Sequence, residues 1–170
     1  MRRMRVGLPD GRNRHERQLE FMPGTPIPAA VLTEIQRQLN DELGAAHAYL
    51  ALAIWCQGEK YDGFAGFFKK QAGEEREHAQ KFIEHLLDRG EIPVLGATPA
   101  PKGGFENLLE VAKQAQTMEQ FNTAGIVRAY EAALAAKDYA AQVLLHWFIN
   151  EQLEEEAWSD EMVDRVARAG

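Results

Sequence analysis

The sequence predicts an all-α fold, a bundle of four long helices with one long crossover between the second and third. Helix-forming composition fills four segments, roughly residues 28–57, 62–89, 105–135 and 138–168. Proline and glycine are confined mostly to the breaks between these segments, and stretches typical of strands are nearly absent. The break at 90–104, GEIPVLGATPAPKGG, is too rich in proline and glycine to be helical.

The length of that break indicates how the helices are connected. A helix of about 28 residues is about 42 Å long, and about 15 extended residues reach about 50 Å. The segment can therefore return the chain along the whole bundle. The other two joints are short, so we expect each to form an antiparallel hairpin.

Composition divides the chain into a basic arm and an acidic body. The whole chain has 170 residues and a net charge of −7. Residues 1–17 contain six arginines and two acidic residues, or +4, which leaves −11 for the remainder. We expect residues 1–27 to form an irregular arm and residues 28–170 to form the bundle. The acidic body argues against nucleic acid as the main partner.

Several classes of protein are excluded by what the sequence lacks. No apolar run is long enough for a membrane span, and the N-terminus has no apolar block typical of a secretory signal. We therefore expect a soluble, cytoplasmic protein that does not bind membranes. The single cysteine, Cys56, excludes an internal disulfide or a cysteine metal cluster, so any metal would need oxygen and nitrogen ligands.

Each predicted helix has a polar residue within its apolar stripe, the row of apolar residues along the helix face that points to the core. The 4,3,4,3 spacing that keeps residues on one face brings carboxylates into line with apolar core residues on all four helices. The candidate ligands on these stripes are Glu42 on the first helix, Glu75 and His78 on the second, Glu119 on the third, and Gln152 and Glu155 on the fourth. The amides Gln71 and Asn122 lie on the second and third stripes.

Converging carboxylates need a positive partner. An unpaired buried carboxylate costs several kcal/mol, and the four stripes contain no Arg or Lys. A single Glu on an apolar helix face is more often ion-paired or at the edge of that face than a metal ligand. A carboxylate on the apolar face of all four helices, however, favours a metal site. Oxygen ligands with one histidine suit iron, manganese or zinc, and Glu-x-x-His motifs occur in di-iron bundles, although a single motif such as Glu75-x-x-His78 is weak evidence. Tyr49, seven residues after Glu42, either hydrogen-bonds a ligand or fills core space.

The chain resembles the bacterial non-haem ferritins from about Leu32 to Gly170. The resemblance rests on the motifs LNDEL, AIWCQ, FFKKQAGEEREHAQKF, RGEIP, TMEQ, KDYAAQVLLHWFINEQLEEE and the closing ARAG. It implies a ferroxidase centre within the bundle. By this resemblance the first iron site consists of Glu42, Glu75 and His78, and Glu75 bridges to a second site completed by Glu119 and Gln152. Tyr49 lies beside this centre. The resemblance also implies a third iron site, formed by Glu74, Glu151 and Glu155.

The resemblance also implies the activity. Such a protein oxidises Fe(II) with dioxygen or hydrogen peroxide and stores it as a ferric oxyhydroxide mineral in a homo-oligomeric shell of 24 subunits. No haem is expected, because Arg76 stands where a bacterioferritin has its haem-ligating methionine. Rubrerythrins and bacterioferritins place a second Glu-x-x-His where this chain has QLEE at 152–155, so we expect the second iron to be held more weakly.

The sequence departs from the family at its ends. Family members usually continue past the matching glycine into a short fifth helix, whereas this sequence stops at Gly170 and has a longer N-terminal arm. In the family that helix lines the four-fold axis of the shell, whereas a ferroxidase centre lies wholly inside one bundle and does not involve it. Two alternatives remain: a rubrerythrin-like di-iron peroxidase or oxidase that stores no iron, and a structural helical bundle that only mediates interactions.

Overall fold

The computed structural model describes residues 26–170, so nearly all of the predicted arm lies outside the described residues. Within that range the chain forms four helices and no strand, which confirms the predicted all-α bundle. None of these helices combines the length and the apolarity needed to cross a bilayer. The helices are α1 (Ala29–Gly58), α2 (Asp62–Asp88), α3 (Leu108–Ala135) and α4 (Tyr139–Ala169).

Capping residues explain where α3 and α4 begin. The prediction starts the third helix at residue 105, but α3 begins at Leu108 because the Asn107 side chain accepts the N–H of Glu110 at 3.0 Å. The Asp138 side chain caps α4 by accepting the N–H of Ala141 at 3.1 Å. Asp138 also accepts both branches of the Arg89 guanidinium, at 3.0 and 3.1 Å, which ties the end of α2 to the start of α4.

The segment between α2 and α3 crosses the bundle along α1. The Gln36 side chain accepts the N–H of Val94 at 2.9 Å and donates to the carbonyl of the same residue at 2.5 Å. One turn later, the Asn40 side chain accepts the N–H of Gly96 at 2.6 Å. These side-chain bonds supply the partners that the extended backbone lacks, so a helix surface holds the predicted crossover in place.

The core consists of two apolar clusters with a polar layer between them. One cluster, which includes Leu39, Phe82 and Phe148, fills the end of the bundle where α1 begins. The other, which includes Leu52 and Phe68, fills the opposite end. On every helix the predicted polar stripe residues lie between the segments that contribute to the two clusters.

Gly125 permits a close approach between α1 and α3 beside that layer. A Cβ atom at Gly125 would lie 2.2 Å from Oε1 and 3.2 Å from Cδ of Gln38. Gln38 is fully buried, and its amide donates hydrogen bonds to two other side chains, so it cannot move aside freely. Gly66 on α2 is exposed, and a Cβ there would meet nothing within 4 Å.

We expect opposite effects from alanine at these two glycines. Gly66→Ala should raise the free energy of unfolding by about 0.5–1 kcal/mol, because it removes a helical glycine in open space. Gly125→Ala should lower that free energy by about 1–2 kcal/mol, because overpacking and disrupted Gln38 hydrogen bonds outweigh the helix gain. Urea unfolding of the metal-free proteins measures both. A Gly125→Ala protein as stable as Gly66→Ala would contradict the close approach.

Candidate metal centre

The polar layer buries four carboxylates at one level of the bundle. Glu42 has no solvent exposure, and Glu75, Glu119 and Glu155 are exposed by 6% or less. Their burial follows from local geometry, because each lies on the apolar stripe that its helix presents to the core. Among the buried residues of the described chain there is no Arg or Lys. The layer therefore contains no fixed positive charge.

Glu42, Glu75 and His78 form a compact three-ligand group. One potential ligand atom from each lies within 4.8 Å of the other two. His78 Nδ1 is 3.2 Å from Glu75 Oε2 and 3.9 Å from Glu42 Oε2. The spacing of three residues on α2 puts Glu75 and His78 on the same helix face. Two carboxylates and an imidazole suit iron, manganese or zinc, so this group can hold a metal ion.

Glu119 and Gln152 face each other across α3 and α4. Gln152 Nε2 is 3.4 Å from Glu119 Oε2 and 3.3 Å from the Glu119 carbonyl oxygen. The Tyr49 hydroxyl donates to Glu119 Oε1. Of the two roles that the sequence leaves open for Tyr49, the structure shows the hydrogen bond to a predicted ligand. Tyr49 also packs against Phe68 with 6.0 Å between ring centroids.

The three residues predicted for a third iron site have different surroundings. Glu155 is buried, whereas Glu74 and Glu151 are half-buried at the edge of the layer. Lys70 Nζ lies 2.5 Å from Glu74 Oε1. Among residues 26–170, Glu42, Glu75 and His78 bring one ligand atom each within 4.8 Å of one another, whereas Glu74, Glu151 and Glu155 do not. The third site therefore stays a prediction.

Four further neutral hydrogen-bond donors to the carboxylates, besides Tyr49 and Gln152, were not assigned from the sequence. Gln38 Nε2 donates to Glu42 Oε1 at 3.0 Å, and Asn122 Nδ2 donates to Glu42 Oε2 at 3.1 Å. Glu155 Oε2 accepts from Gln71 Nε2 at 3.0 Å and from the Trp158 indole N–H. Asn122 and Gln71 lie on the predicted stripes, and Gln38 lies one turn before Glu42. Their positions on the helix faces could have identified them as buried polar residues. The spacing of residues within one helix, however, cannot reveal hydrogen-bond partners on other helices.

Burial raises the pKa of each of the four buried carboxyl groups. It raises the pKa of Glu75 to about 8, and repulsion from Glu119 and Glu155 adds to the effect. It raises the pKa of Glu119 to about 7 against the opposing hydrogen bonds from Tyr49 and Gln152. The pKa of Glu155 rises to about 7, and that of Glu42 rises well above its usual range through burial and the neighbouring Glu75. Near neutral pH the metal-free layer therefore retains protons.

The types of ligand atom and the total negative charge of the layer fit divalent metal ions. When ionised, the four buried carboxylates carry four negative charges, which two divalent cations balance. Metal ligands must be deprotonated, so binding would release the protons that the layer retains. The arrangement can therefore exchange protons for metal ions within a buried, hydrogen-bonded site.

We expect the stability of the metal-free protein to fall as the pH rises. An unfolded Glu has a pKa of about 4.3, so between about pH 4.3 and 8 the folded layer binds more protons than the unfolded chain. Under that condition the free energy of unfolding decreases with increasing pH. Thermal unfolding of metal-free protein between pH 5 and 8 should show the decrease. Metal affinity should rise over the same range, because fewer protons then compete.

Glu119→Gln tests the origin of this dependence. It removes one titrating group from the layer and should flatten the decrease in stability with pH. Glu77→Gln, at an exposed position on α2, is the matched control and should leave the slope unchanged. An equal slope in all three proteins would show that groups outside the layer control it.

Comparisons with known proteins identify relatives of this chain. The family model for the ferritin-like domain matches residues 32–169. The chain is 41% identical over 140 residues to a bacterial non-heme ferritin of Staphylococcus epidermidis, covering 82% of this chain and 84% of that protein. A bacterial non-heme ferritin of Staphylococcus aureus gives the same identity and coverage.

A solved structure extends the comparison to the fold. The crystal structure of an open pore ferritin from Archaeoglobus fulgidus superposes with a TM-score of 0.82 at 28% identity. The match covers 85% of this chain and 88% of the archaeal chain. Sequence motifs, helix arrangement and a buried carboxylate and histidine group thus point to one conclusion. The chain belongs to the ferritin family.

Proposed function

We propose that the protein is a ferroxidase and iron-storage protein. It oxidises Fe(II) to Fe(III) within the bundle and passes the product to a ferric oxyhydroxide mineral. The observation that carries the proposal is the buried group of Glu42, Glu75 and His78 in a chain of the ferritin family. Iron is the substrate in this reaction, and the protein supplies ligands, geometry and proton exchange.

In the proposed arrangement, Glu42, Glu75 and His78 bind the first iron ion. Glu75 bridges to a second ion, which Glu119 and Gln152 also bind. Glu75 is a close neighbour of Glu42 and also lies near enough to Glu119 for repulsion to raise the Glu75 pKa, as a bridging position requires. Hydrogen bonds from Tyr49 and Gln152 orient Glu119, as partners of a metal ligand are expected to do.

The electron balance requires two iron ions for each two-electron oxidant. Two Fe(II) ions lose one electron each. Dioxygen gains those two electrons and two protons to become hydrogen peroxide, or hydrogen peroxide gains them with two protons to become two waters. Ionised carboxylates favour the ferric product, because its added charge is better balanced by four negative groups than by neutral ligands.

The second iron position is the weaker one in this proposal. Gln152 contributes a neutral amide oxygen where a carboxylate or histidine would bind a cation more strongly. Weak binding suits iron that must move on to storage. Glu74, Glu151 and Glu155 would form a third position at the edge of the layer, where iron must compete with Lys70 for Glu74.

Storage requires assembly into a shell. Large apolar side chains that are exposed in the single chain support self-association, because a monomer rarely leaves so many uncovered. They include Ile54, Val94, Leu95 and Phe121, which are 59–66% exposed. We propose a homo-oligomeric, cytoplasmic shell, of 24 subunits if it follows the family resemblance.

Replacement of a central ligand should abolish rapid oxidation. Glu75→Ala should slow the appearance of ferric absorbance after Fe(II) is mixed with the metal-free protein in air by about 100-fold or more, since even outer partners of metal ligands contribute 10–100-fold. Glu77→Ala on the exposed face of the same helix is the matched control and should oxidise iron like the parent protein. Equal rates in the parent and Glu75→Ala proteins would refute the assigned centre.

Iron retention separates storage from simple turnover. A storing protein should retain far more iron per subunit than the two or three ions that its sites can bind. A rubrerythrin-like oxidase or peroxidase would retain no more than that number, and a purely structural bundle would take up none. Iron analysis after aerobic loading and gel filtration measures the ratio, and size exclusion with light scattering on the same sample gives the subunit count.

A further inference from the structure

Asn122 occupies a central place in the polar layer without a role in the proposed ligand set. It lies on α3, three residues after Glu119, and its side chain is 5% exposed. A buried amide is stable only where its donors and acceptor find partners. The partners of Asn122 come from two other helices, and two of them belong to the metal centre.

The Asn122 amide contacts one proposed ligand of each iron position. Its Nδ2 donates to Glu42 Oε2 at 3.1 Å and lies 3.5 Å from Gln152 Oε1. Its Oδ1 accepts a hydrogen bond from Gln38 Nε2. One side chain thus contacts a proposed ligand of the first iron position and a proposed ligand of the second.

These contacts determine which end of the Gln152 amide is available to metal. Gln152 Nε2 donates to Thr123 Oγ1 at 3.0 Å, and to Glu119 as described above. Gln152 Oε1 is left facing Asn122. An amide NH₂ group has no lone pair to offer a metal, whereas its oxygen has two and can bind an ion while accepting a hydrogen bond. The donor on Asn122 and the acceptor oxygens of Glu119 therefore select the ligating orientation, and the Thr123 hydroxyl, which can pair with either end of an amide, adds a third partner.

When Glu42 is ionised, the acceptors beside Gln38 fix which way the Gln38 amide is turned. Its Nε2 serves both Glu42 and Asn122, which leaves the fully buried Oε1 without a hydrogen-bond partner. A buried acceptor without a partner is unfavourable. The reversed amide would place its oxygen against the oxygens of both neighbours and lose two bonds. Keeping the Asn122 oxygen turned toward Gln38 leaves its N–H groups turned toward Glu42 and Gln152.

We propose that Asn122 is a positioning residue that couples the two metal positions, by turning the Gln152 oxygen toward the centre and holding Glu42 in the same network. The inference rests on the proposed function. Loss of the Asn122 amide weakens both positions, because it touches a ligand of each. Loss of the Thr123 hydroxyl weakens the second position alone, because that hydroxyl touches only Gln152 of the proposed ligands.

Anaerobic titration of the metal-free protein with Co(II) tests this pattern. The visible spectrum of Co(II) reports its ligands and requires no turnover. The parent protein should bind in a tighter and a weaker phase. Asn122→Leu, which has nearly the same shape without the amide, should weaken both phases by about tenfold or more. Thr123→Val should shift only the weaker phase.

Thr117→Val is the matched control on the same helix. Its exposed hydroxyl bonds only the Lys113 carbonyl at 2.9 Å, so both phases should match those of the parent protein. Thermal unfolding of each metal-free variant separates loss of stability from loss of metal affinity. A merely structural role would lower the melting temperature without changing the ratio of the two affinities in Thr123→Val.

The outcomes distinguish failure of the inference from failure of the proposed function. If the parent protein binds two Co(II) ions and both site variants bind like Thr117→Val, the coupling inference is wrong and the metal centre stands. If the parent protein binds no metal, the proposed function fails and the inference fails with it. Should Asn122→Leu not fold, an unchanged weaker phase in Thr123→Val would overturn the inference.

Discussion

The burial of four carboxylates between two apolar clusters is the constraint on which the rest of the structure depends. Removing such groups from water is costly unless protons, hydrogen bonds or cations compensate. Within the described chain no Arg or Lys is buried to provide the charge. The layer instead combines raised pKa values with neutral donors such as Tyr49, Gln38 and Trp158. A site built in this way leaves the role of cation to a ligand.

Neutral hydrogen-bond donors leave the carboxylates available to bind metal, which salt bridges would not. An internal Arg or Lys would satisfy a carboxylate permanently and compete with metal for it. A tyrosine hydroxyl or an amide instead orients the carboxylate and leaves its second oxygen or second lone pair free. Lys70 illustrates the contrast, because it pairs with Glu74 only at the exposed edge of the layer. Under the proposed function, metal can therefore bind at the deep positions without displacing a cation, whereas iron at the edge must displace Lys70 from Glu74.

The fold could be predicted largely because its signals are local. Helix composition, breaks and the long crossover segment all lie within short windows of sequence, and the four helices agree with those windows to within a few residues. The main difference, the later start of α3, arises from a cap at Asn107 that ends the preceding irregular segment. The carboxylates of the layer were predictable for the same reason, since the 3.6-residue period determines which face each shares with the apolar residues.

The sequence by itself determined which side chains point into the bundle, and the tertiary structure decided which of them meet. Tyr49 and Glu119 are 70 residues apart, and Asn122 and Glu42 are 80 apart, so no spacing rule relates them. Their contacts depend on how far each helix is rotated and shifted against its neighbours, which packing of all four stripes settles together. The carboxylates of the centre could be read from one helix at a time, whereas the amides that orient them required the assembled bundle.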